Sequence, residues 1–437
     1  MMHRSLWGLP LAVTLAAGSP GLAAAQQPAA VTLAEALQRA DQVQTGVVQA
    51  RATVQNAQAA QRAATGAWLP SLSASSSAAN FYTGQSSIDR NTGLVLPGGT
   101  TTQTLAMGLS ASWDVFTGFR RGADIRAARA QGAAAESGLT DARYQQRLVT
   151  TNAFFDALAA SQLVRVREAS VQRAEEQLKV SSAKLRVGTA TRADSLQALV
   201  ALGTARSDLV TASSQLTAAE AALARQVGAD GRVAAVDDSS YYHTVASVDA
   251  TALAREATGS APQVRSRVAQ VEASQAAVKS ARSGYWPTIS LNGFAGYNGT
   301  SRNDYSLISQ RQLSLQLSWP IFNRFQREQA IVQQETQLDV AQAQAADTRR
   351  NVQSVVLAQA AALDAARQRI DIAETSVAAA TEALRVQRSR YQAGVATIVD
   401  VLTAQETLTQ AEVSVVTARF DYLRAKAQIE TALGRAL

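Results

Sequence analysis

Two stretches of alternating polarity constrain the fold of this chain most strongly. Gln312–Phe322 reads QLSLQLSWPIF, in which leucine and isoleucine alternate with polar residues or proline, and Leu105–Phe116 reads LAMGLSASWDVF. Such alternation predicts β-strands with one apolar and one polar face. Two further runs, Ser71–Tyr82 and Thr288–Tyr297, alternate less cleanly. Each run is about ten residues long, the length with which a tilted strand crosses a bilayer.

The sequence contains an internal repeat. An offset of 206 residues (319 − 113) carries Trp113 onto Trp319 and also relates Gly188 to Gly394. Further upstream an offset of 217 (287 − 70) relates the prolines that precede the strands, so the first copy has a longer loop, at about 83–103. We therefore predict a tandem duplication, each half reading helix, strand, loop, strand, long helix, turn and helix.

Long helices follow each pair of strands. No proline falls between Gly98 and Ala261 or after Pro320, so residues 119–187 and 325–393 can each form one continuous helix. At 1.5 Å per residue each helix would span roughly 100 Å. Leucines at intervals of seven, Leu202 to Leu223, indicate a coiled-coil seam. Helices of this length are typical of coiled-coil or tubular assemblies.

These patterns predict the organisation of the whole chain. The predicted segments are a signal peptide (1–25), an N-terminal helix of repeat 1 (26–67), a first β-hairpin (68–116), a first long helix pair (117–228) with a tip turn (188–191), a linker (229–262), the first helix of repeat 2 (263–285), a second β-hairpin (286–322) and a second long helix pair (323–437) with a tip turn (394–397).

The first residues have the pattern of an export signal. Arg4 supplies a positive charge, Leu6–Ala17 an apolar core and Ala23–Ala25 a small-residue cleavage site. The rest of the sequence has no apolar run of about 18 residues. The chain contains no cysteine, which excludes disulfides, thiol catalysis and a lipidated cysteine. If this exported chain enters a membrane, its strands must be the part that does so.

The charged residues and the histidine give little support to catalysis or nucleic-acid binding. The net charge of +7 is spread along the helices without a block of lysine and arginine, so we expect no nucleic-acid partner. His243 is the one histidine beyond the signal region, and no phosphate loop or metal-spaced cluster is present. We expect a protein that is not an enzyme and binds no cofactor or metal.

Tryptophans mark the ends of the predicted strands. Two precede an outgoing strand and two close a returning one, which predicts that all four lie at one level. An aromatic girdle at a membrane interface has this arrangement. The alternative is that they are bulky residues at strand–helix junctions. The four are Trp68, Trp113, Trp286 and Trp319.

Two hairpins supply only four strands. Small barrels need about eight strands, and open sheet edges are not tolerated in lipid. The hairpins of several chains must therefore combine: two copies would give eight strands and three would give twelve. The twelve-stranded barrel is the one that leaves room for a passage.

The two tip turns carry paired signals. Each has a glycine suited to ending a helix in the left-handed conformation, then a threonine suited to capping the next helix, then an aspartate as capping-box partner. Capping alone accounts for the aspartates. Acidic rings around a channel axis are a compatible second role. The residues are Gly188, Thr191 and Asp194, and Gly394, Thr397 and Asp400.

With its duplicated hairpin and long-helix plan, the chain resembles the TolC family of outer-membrane efflux channels. The motif R-x-x-x-G-x-x-x-x-x-D-x-L at Arg390–Leu402, echoed at Lys184–Leu196, adds to the resemblance. The family implies a homotrimer in the bacterial outer membrane, with a twelve-strand β-barrel continued by a periplasmic α-helical barrel. The tip would open when a periplasmic adaptor docks, with an inner-membrane pump supplying energy. The expected function is the passive exit duct of a tripartite efflux pump or type I secretion system.

The resemblance also implies roles at the tip. Asp194 matches a gate aspartate, Tyr391 the tyrosine that bonds across to it, and Asp400 a constriction aspartate. A family arginine is Ala396 here and a further constriction aspartate is Thr403, which leaves Arg192 or Arg390 to supply positive charge. The residues expected to meet the adaptor are Val187, Gly188 and Thr189, with Ala393, Gly394 and Val395.

Two alternatives remain at the level of sequence. A coiled-coil structural or adhesive outer-membrane protein would share the strands and helices but would not conduct. A periplasmic adaptor should have one helical hairpin and further β-domains, whereas this chain has two hairpins and membrane-length strands. Drugs, solvents, metal ions and secreted proteins all pass through ducts of the TolC type, and the sequence leaves the cargo open.

Overall fold

The computed structural model describes residues 29–88, 91–96, 99–242, 249–301 and 306–437. The expected signal peptide and His243 lie outside these residues. The strands are β1 (Ala29–Val31), β2 (Ser71–Thr83), β3 (Ser87–Ile88), β4 (Val95–Leu96), β5 (Thr100–Phe116), β6 (Val233–Ala235), β7 (Thr288–Thr300) and β8 (Ile308–Ser318). The helices are α1 (Leu33–Val43), α2 (Thr45–Gly66), α3 (Arg120–Arg186), α4 (Arg192–Val227), α5 (Ala250–Ser260), α6 (Pro262–Arg282), α7 (Gln326–Gln392) and α8 (Ile398–Leu433).

The membrane-length strands form one antiparallel sheet in the order β2-β5-β7-β8. In the first hairpin Ser71 pairs with Ser112, and in the second Thr288 pairs with Ser318. The offset of 217 carries Ser71 onto Thr288, and the offset of 206 carries Ser112 onto Ser318. Both hairpins therefore have the same register, and the tandem duplication predicted from the sequence is confirmed.

The long helices repeat in the same way. Helices α3 and α7 each have 67 residues, and α4 and α8 each have 36. At 1.5 Å per residue the longer pair spans about 100 Å. Within each repeat the long helix packs against the shorter one that follows its tip turn, and α3 also packs against α8, which joins the two repeats. Among the described residues, no helix combines the length and apolar character needed to cross a membrane.

The main core lies near the middle of α3 and α7 and includes the C-terminal ends of α4 and α8. Phe154 and Phe155 of α3 are buried, and the Phe155 ring centroid lies 6.3 Å from that of Phe420 on α8. Tyr241 lies edge-on to both α3 rings, with centroids 6.0 and 5.8 Å away. Aromatic side chains therefore fill the place where the two repeats and the segment after α4 meet. Buried aromatic rings remove large apolar areas from water, so they contribute strongly to the stability of this core.

The N-terminal region and the linker are more structured than the sequence indicated. The predicted helix at 26–67 is two helices, separated at Gln44, whose extended backbone (ψ 129°) breaks the helical path. The Gln44 amide donates hydrogen bonds to the carbonyls of Arg225 (2.9 Å) and Gln226 (2.6 Å), which holds the break against the end of α4. The predicted linker at 229–262 contains α5 and β6, and β6 pairs in parallel with β1.

Candidate functional site

The first tip turn joins α3 to α4. Gly188 has φ +75°, and the Thr189 N–H donates to the Lys184 carbonyl at 2.9 Å, which satisfies the end of α3. Helix α4 then begins with a capping box. The Asp194 N–H donates to the Thr191 hydroxyl at 3.2 Å, and the Thr191 N–H donates to the Asp194 carboxylate at 3.0 Å.

The second tip turn repeats this geometry between α7 and α8. Gly394 has φ +79°, and the Val395 N–H donates to the Arg390 carbonyl at 3.0 Å. The Asp400 carboxylate accepts hydrogen bonds from the backbone N–H and the hydroxyl of Thr397, both at 2.8 Å. Both capping boxes that the sequence predicted are therefore formed.

The bonds from Thr397 have an electrostatic consequence at Asp400. They favour the charged carboxylate and, with a smaller contribution from the Arg390 guanidinium, lower the pKa of Asp400 below its ordinary value of 3.8. Asp400 is exposed at the start of α8 and faces solvent in the single chain. A carboxylate that stays ionised at an exposed tip can attract cations.

Tyr391 lies at the end of α7 and is 5% exposed. Its hydroxyl has no hydrogen-bond partner among the described residues, so the single chain does not form the Asp194–Tyr391 bond that the resemblance implied. Asp194 is nevertheless close enough to act on it: burial first, and then the Asp194 charge, raise the pKa of Tyr391 above its ordinary value of 10.0. The two residues are near each other, with the tyrosine hydroxyl still unpaired.

The other predicted tip residues line the surface. Arg192 and Arg390 are exposed beside the two turns, and Thr403 is exposed one turn further along α8. Neither arginine forms an ion pair among the described residues. Within one chain, neither therefore takes the place of the family arginine, whose position is occupied here by Ala396. The residues expected to meet the adaptor, Val187–Thr189 and Ala393–Val395, are exposed at the two turns.

Lys184 is a tip residue that the sequence-based prediction missed. Its ammonium lies 4.5 Å from the ring centroid of Tyr391, and it donates hydrogen bonds to the Tyr391 carbonyl and to the Gln392 carbonyl, the latter at 3.1 Å. Those carbonyls belong to the last turn of α7, where the regular helical hydrogen bonds stop; the Tyr391 carbonyl also accepts from the Gly394 N–H at 3.2 Å. The contact therefore joins the tip of repeat 1 to the tip of repeat 2. The sequence places Lys184 four residues before Gly188, at the end of a predicted helix, but carries no signal of its partners on α7.

A second tie joins the two repeats further from the tip. Arg173 of α3 forms a bidentate ion pair with Glu412 of α8, at 3.1 and 2.7 Å, and also donates to the Thr409 hydroxyl at 3.1 Å. The two charged side chains are 16% and 23% exposed, so the pair is shielded from much of the solvent. Gln405 adds a bond to the Arg173 carbonyl at 3.3 Å. This set of contacts fixes α3 against α8.

The tryptophans lie together where the strands meet the helices. The Trp113 indole N–H donates to the Trp68 carbonyl at 3.0 Å, and that of Trp319 donates to the Tyr285 carbonyl at 3.2 Å, next to Trp286. The registers place both pairs at the same end of the sheet. All four rings are between 40% and 60% exposed. An amphipathic ring with a bonded N–H and an exposed apolar face suits a bilayer interface.

No group of three potential metal ligands occurs in the described part of the chain. The main features are therefore an open four-stranded sheet with aromatic residues at the ends of its strands, and a long helical body that ends in two capped, exposed turns.

Comparison with known proteins agrees with this architecture. The sequence profile of the family described as "Outer membrane efflux protein" matches residues 32–229 and 253–435. No curated protein sequence matches the chain.

Solved structures show the same fold at low sequence identity. CusC is 19% identical and VceC of Vibrio cholerae is 21% identical, with TM-scores of 0.77 and 0.75; 92% of this chain is covered in each comparison, with 92% of CusC and 96% of VceC. CmeC, an outer membrane channel of Campylobacter jejuni, is 17% identical with a TM-score of 0.77, over 92% of this chain and 85% of CmeC.

Proposed function

Because this chain belongs to the outer membrane efflux protein family, we propose that it is the exit duct of a tripartite efflux pump or a type I secretion system. It is a transport channel and not an enzyme, and it lies in the outer membrane and extends into the periplasm. Its fold is that of a trimeric channel in which a β-barrel is continued by an α-helical barrel.

The observation that carries this proposal is the sheet with two open edges. One chain contributes four strands, and the outer sides of β2 and β8 have no strand beside them in the described structure. Lipid does not tolerate such edges. Three copies supply twelve strands, enough to close a barrel around a passage. The segments 68–116 and 286–322 form the membrane barrel, with the four tryptophans as its periplasmic girdle.

The resting gate is at the tip turns 188–191 and 394–397. Asp194 and Tyr391 lie close together there, and Lys184 ties the end of α3 to the end of α7. Asp400 of three copies would form an acidic constriction, with Thr403 one turn above it and Arg192 and Arg390 at its rim. The exposed turns are the surface on which a periplasmic adaptor docks, and docking would dilate the tip.

The duct itself supplies no energy in this scheme. An inner-membrane pump would select and drive the cargo, and the adaptor would connect the pump to the tip. CmeC is described as an outer membrane channel, and this chain shares its fold over most of its length. The adhesive or structural alternative predicts the same assembly without a continuous passage.

Conductance in planar lipid bilayers distinguishes these functions. The purified protein is expected to insert with a small resting conductance, which rises when the tip is opened by substitution. A trimer that inserts but never conducts, even after its tip contacts are removed, would favour the adhesive protein. Co-purification with an adaptor and a pump would then identify the partners.

A further inference from the structure

Arg121 is a buried cation at the start of α3, directly after the first hairpin. It is 7% exposed, and its guanidinium lies 5.1 Å from the ring centroid of Trp68. Its Nη2 atom is buried without a hydrogen-bond partner, and Arg121 forms no ion pair, among the described residues. A buried charge is unfavourable unless an opposite charge accompanies it. This guanidinium can therefore bind an anion without giving up a charged partner in its own chain.

Repeat 2 shows which group balances the charge at the corresponding place. The offset of 206 carries Arg121 onto Arg327, and the offset of 217 carries Trp68 onto Tyr285. Arg327 lies 4.0 Å from the Tyr285 ring centroid, so each arginine lies over an aromatic ring. The Arg327 guanidinium also donates to the Glu328 carboxylate, at 2.7 and 3.1 Å. Residue 328 therefore supplies the anion in repeat 2.

Repeat 1 has a glycine where repeat 2 has this glutamate. The copy of Glu328 is Gly122, and nothing lies within 4 Å of the position that a Cβ would take there. In repeat 2 the Glu328 carboxylate also accepts from the backbone N–H of its own residue. The Gly122 N–H donates no hydrogen bond within the described part of the chain. The guanidinium and the backbone N–H that bind a carboxylate in repeat 2 thus both lack one in repeat 1.

The carboxylate nearest in sequence to Arg121 is already engaged. Asp124 forms an ion pair with Arg120 at 4.0 Å and accepts a hydrogen bond from Ser280 of α6. The bond to Ser280 belongs to the packing of α3 on α6, which is a further contact between the two repeats. Asp124 therefore does not neutralise Arg121, and the first turns of α3 keep a net positive charge.

The helix end adds to this positive field. The N-cap of α3 is Phe119, which has a left-handed backbone (φ 65°) and no side chain that caps the helix. The Thr117 hydroxyl accepts from the Arg121 N–H at the long distance of 3.4 Å. Unpaired N–H groups at a helix N-terminus carry partial positive charge. Backbone N–H groups at such an end, together with an arginine, suit the binding of a phosphate group.

The proposed membrane barrel places this site at the level of lipid headgroups. Helix α3 begins at Arg120, four residues after β5 ends, and Trp68 is one of the four girdle tryptophans. The Trp68 ring is 54% exposed, so Arg121 lies directly beneath a surface side chain of the girdle. Aromatic girdles lie at the headgroup level of a bilayer, where basic groups attract anionic lipids.

We propose that Arg121, the Gly122 N–H and the start of α3 bind the phosphate of an anionic phospholipid. The phosphate takes the place that the Glu328 carboxylate has in repeat 2. The guanidinium donates to two phosphate oxygens while it stacks on Trp68, and the absence of a side chain at Gly122 lets the phosphate approach the backbone. The inference rests on the membrane barrel of the proposed function and not on conduction.

A phospholipid is favoured over other anions because an apolar surface leads to the site. Leu109 and Trp113 of β5 are 53% and 40% exposed on the same face of the strand, and the Trp113 indole donates to the Trp68 carbonyl at 3.0 Å. Acyl chains can pack on this face while the phosphate lies at Arg121. Inorganic phosphate has the same donors but no such surface, and a carboxylate from another protein would fill the site without lipid.

Gly122→Glu tests the site without removing the arginine, since it places the carboxylate of repeat 2 at an open position. Arg121→Gln removes the cation itself. Arg120→Gln is the matched control, because it removes the same charge from the neighbouring residue, whose side chain is 54% exposed. Native mass spectrometry of the purified, delipidated protein measures the binding of phosphatidylglycerol, with zwitterionic phosphatidylcholine as the reference lipid and inorganic phosphate as the competitor.

The wild type and Arg120→Gln are expected to bind phosphatidylglycerol about tenfold more tightly than phosphatidylcholine, whereas Gly122→Glu and Arg121→Gln should lose this preference. Phosphatidylglycerol should raise the thermal unfolding temperature of the wild type but not that of Gly122→Glu. Inorganic phosphate should compete only weakly. If Arg121→Gln does not fold, the comparison of Gly122→Glu with Arg120→Gln gives the same test.

An equal lipid preference in the wild type and all variants would overturn the inference. Inorganic phosphate that competes as well as the lipid would refute the assignment to a phospholipid. Phosphatidylglycerol without effect on the wild type would also refute it, and is the result expected if a protein carboxylate fills the site.

Conductance of the same preparations separates this inference from the proposed function. A wild type that conducts but has no lipid preference refutes the lipid site and leaves the duct intact. A lipid preference that depends on Arg121, in a protein that never conducts, supports the lipid site and refutes the duct.

Discussion

Removing the Lys184 ammonium is expected to loosen the resting tip. In Lys184→Met the two carbonyls at the end of α7 lose their charged donor and the Tyr391 ring loses its cation. Hydrogen bonds from charged groups contribute about 1.5–3 kcal/mol, and partial exposure of this tie reduces its net worth to about 2 kcal/mol. Because the tie joins the tips of the two repeats, dilation must break it. A loss of about 2 kcal/mol shifts the closed–open equilibrium roughly 30-fold.

The assay is single-channel recording of the resting protein in planar bilayers. Lys179→Met is the matched control, because it removes the same charge from the same helix at an exposed position that forms no ion pair among the described residues. Lys184→Arg should retain most of the closed state. If Lys184→Met and Lys179→Met have equal resting open probabilities, then the tie does not hold the tip closed and the reasoning fails.

Three further predictions concern the tip and the helix ends. Asp194→Ala combined with Tyr391→Phe should raise resting conductance, and an unchanged value would count against a gate at this pair. Asp400→Asn, which can still cap α8, should reduce the cation preference of the channel. In the wild type the lowered pKa keeps the Asp400 carboxylate charged, so the preference should persist at all pH values above 3.8 and fade below it. Retention of the preference in Asp400→Asn would leave this residue a capping role only. Gly188→Ala should lower the free energy of unfolding by about 1 kcal/mol, because alanine is strained in the left-handed conformation. Gly228→Ala should lower it by about 2 kcal/mol more, because its Cβ would also lie 2.5 Å from the Val43 side chain. Equal thermal unfolding of the two variants would refute this packing argument.

Local patterns were enough to predict the repeated parts of the fold. Alternation marked the strands, the absence of proline marked α3 and α7, and Gly188 with Asp194 marked a turn whose caps depend only on neighbours in sequence. The offset between repeats then related the two halves down to the register of their hairpins. These features could be predicted because each depends on residues that are close in sequence, and because each pattern occurs in both repeats.

Features that depend on distant contacts were missed. The break at Gln44 is held by carbonyls at the end of α4, and β1 and β6 are three-residue strands that exist because they pair with each other. The Lys184 tie needed knowledge of where α7 ends relative to α3. Propensity does not encode such long-range partners, which tertiary packing decides.

The most direct test of the central claim is the native mass of the protein extracted from outer membranes. One chain has too few strands to close its sheet, so copies complete each other's edges. We therefore expect an assembly of three chains that remains intact in detergent. A water-soluble single chain that keeps β2 and β8 protected from hydrogen exchange would contradict it.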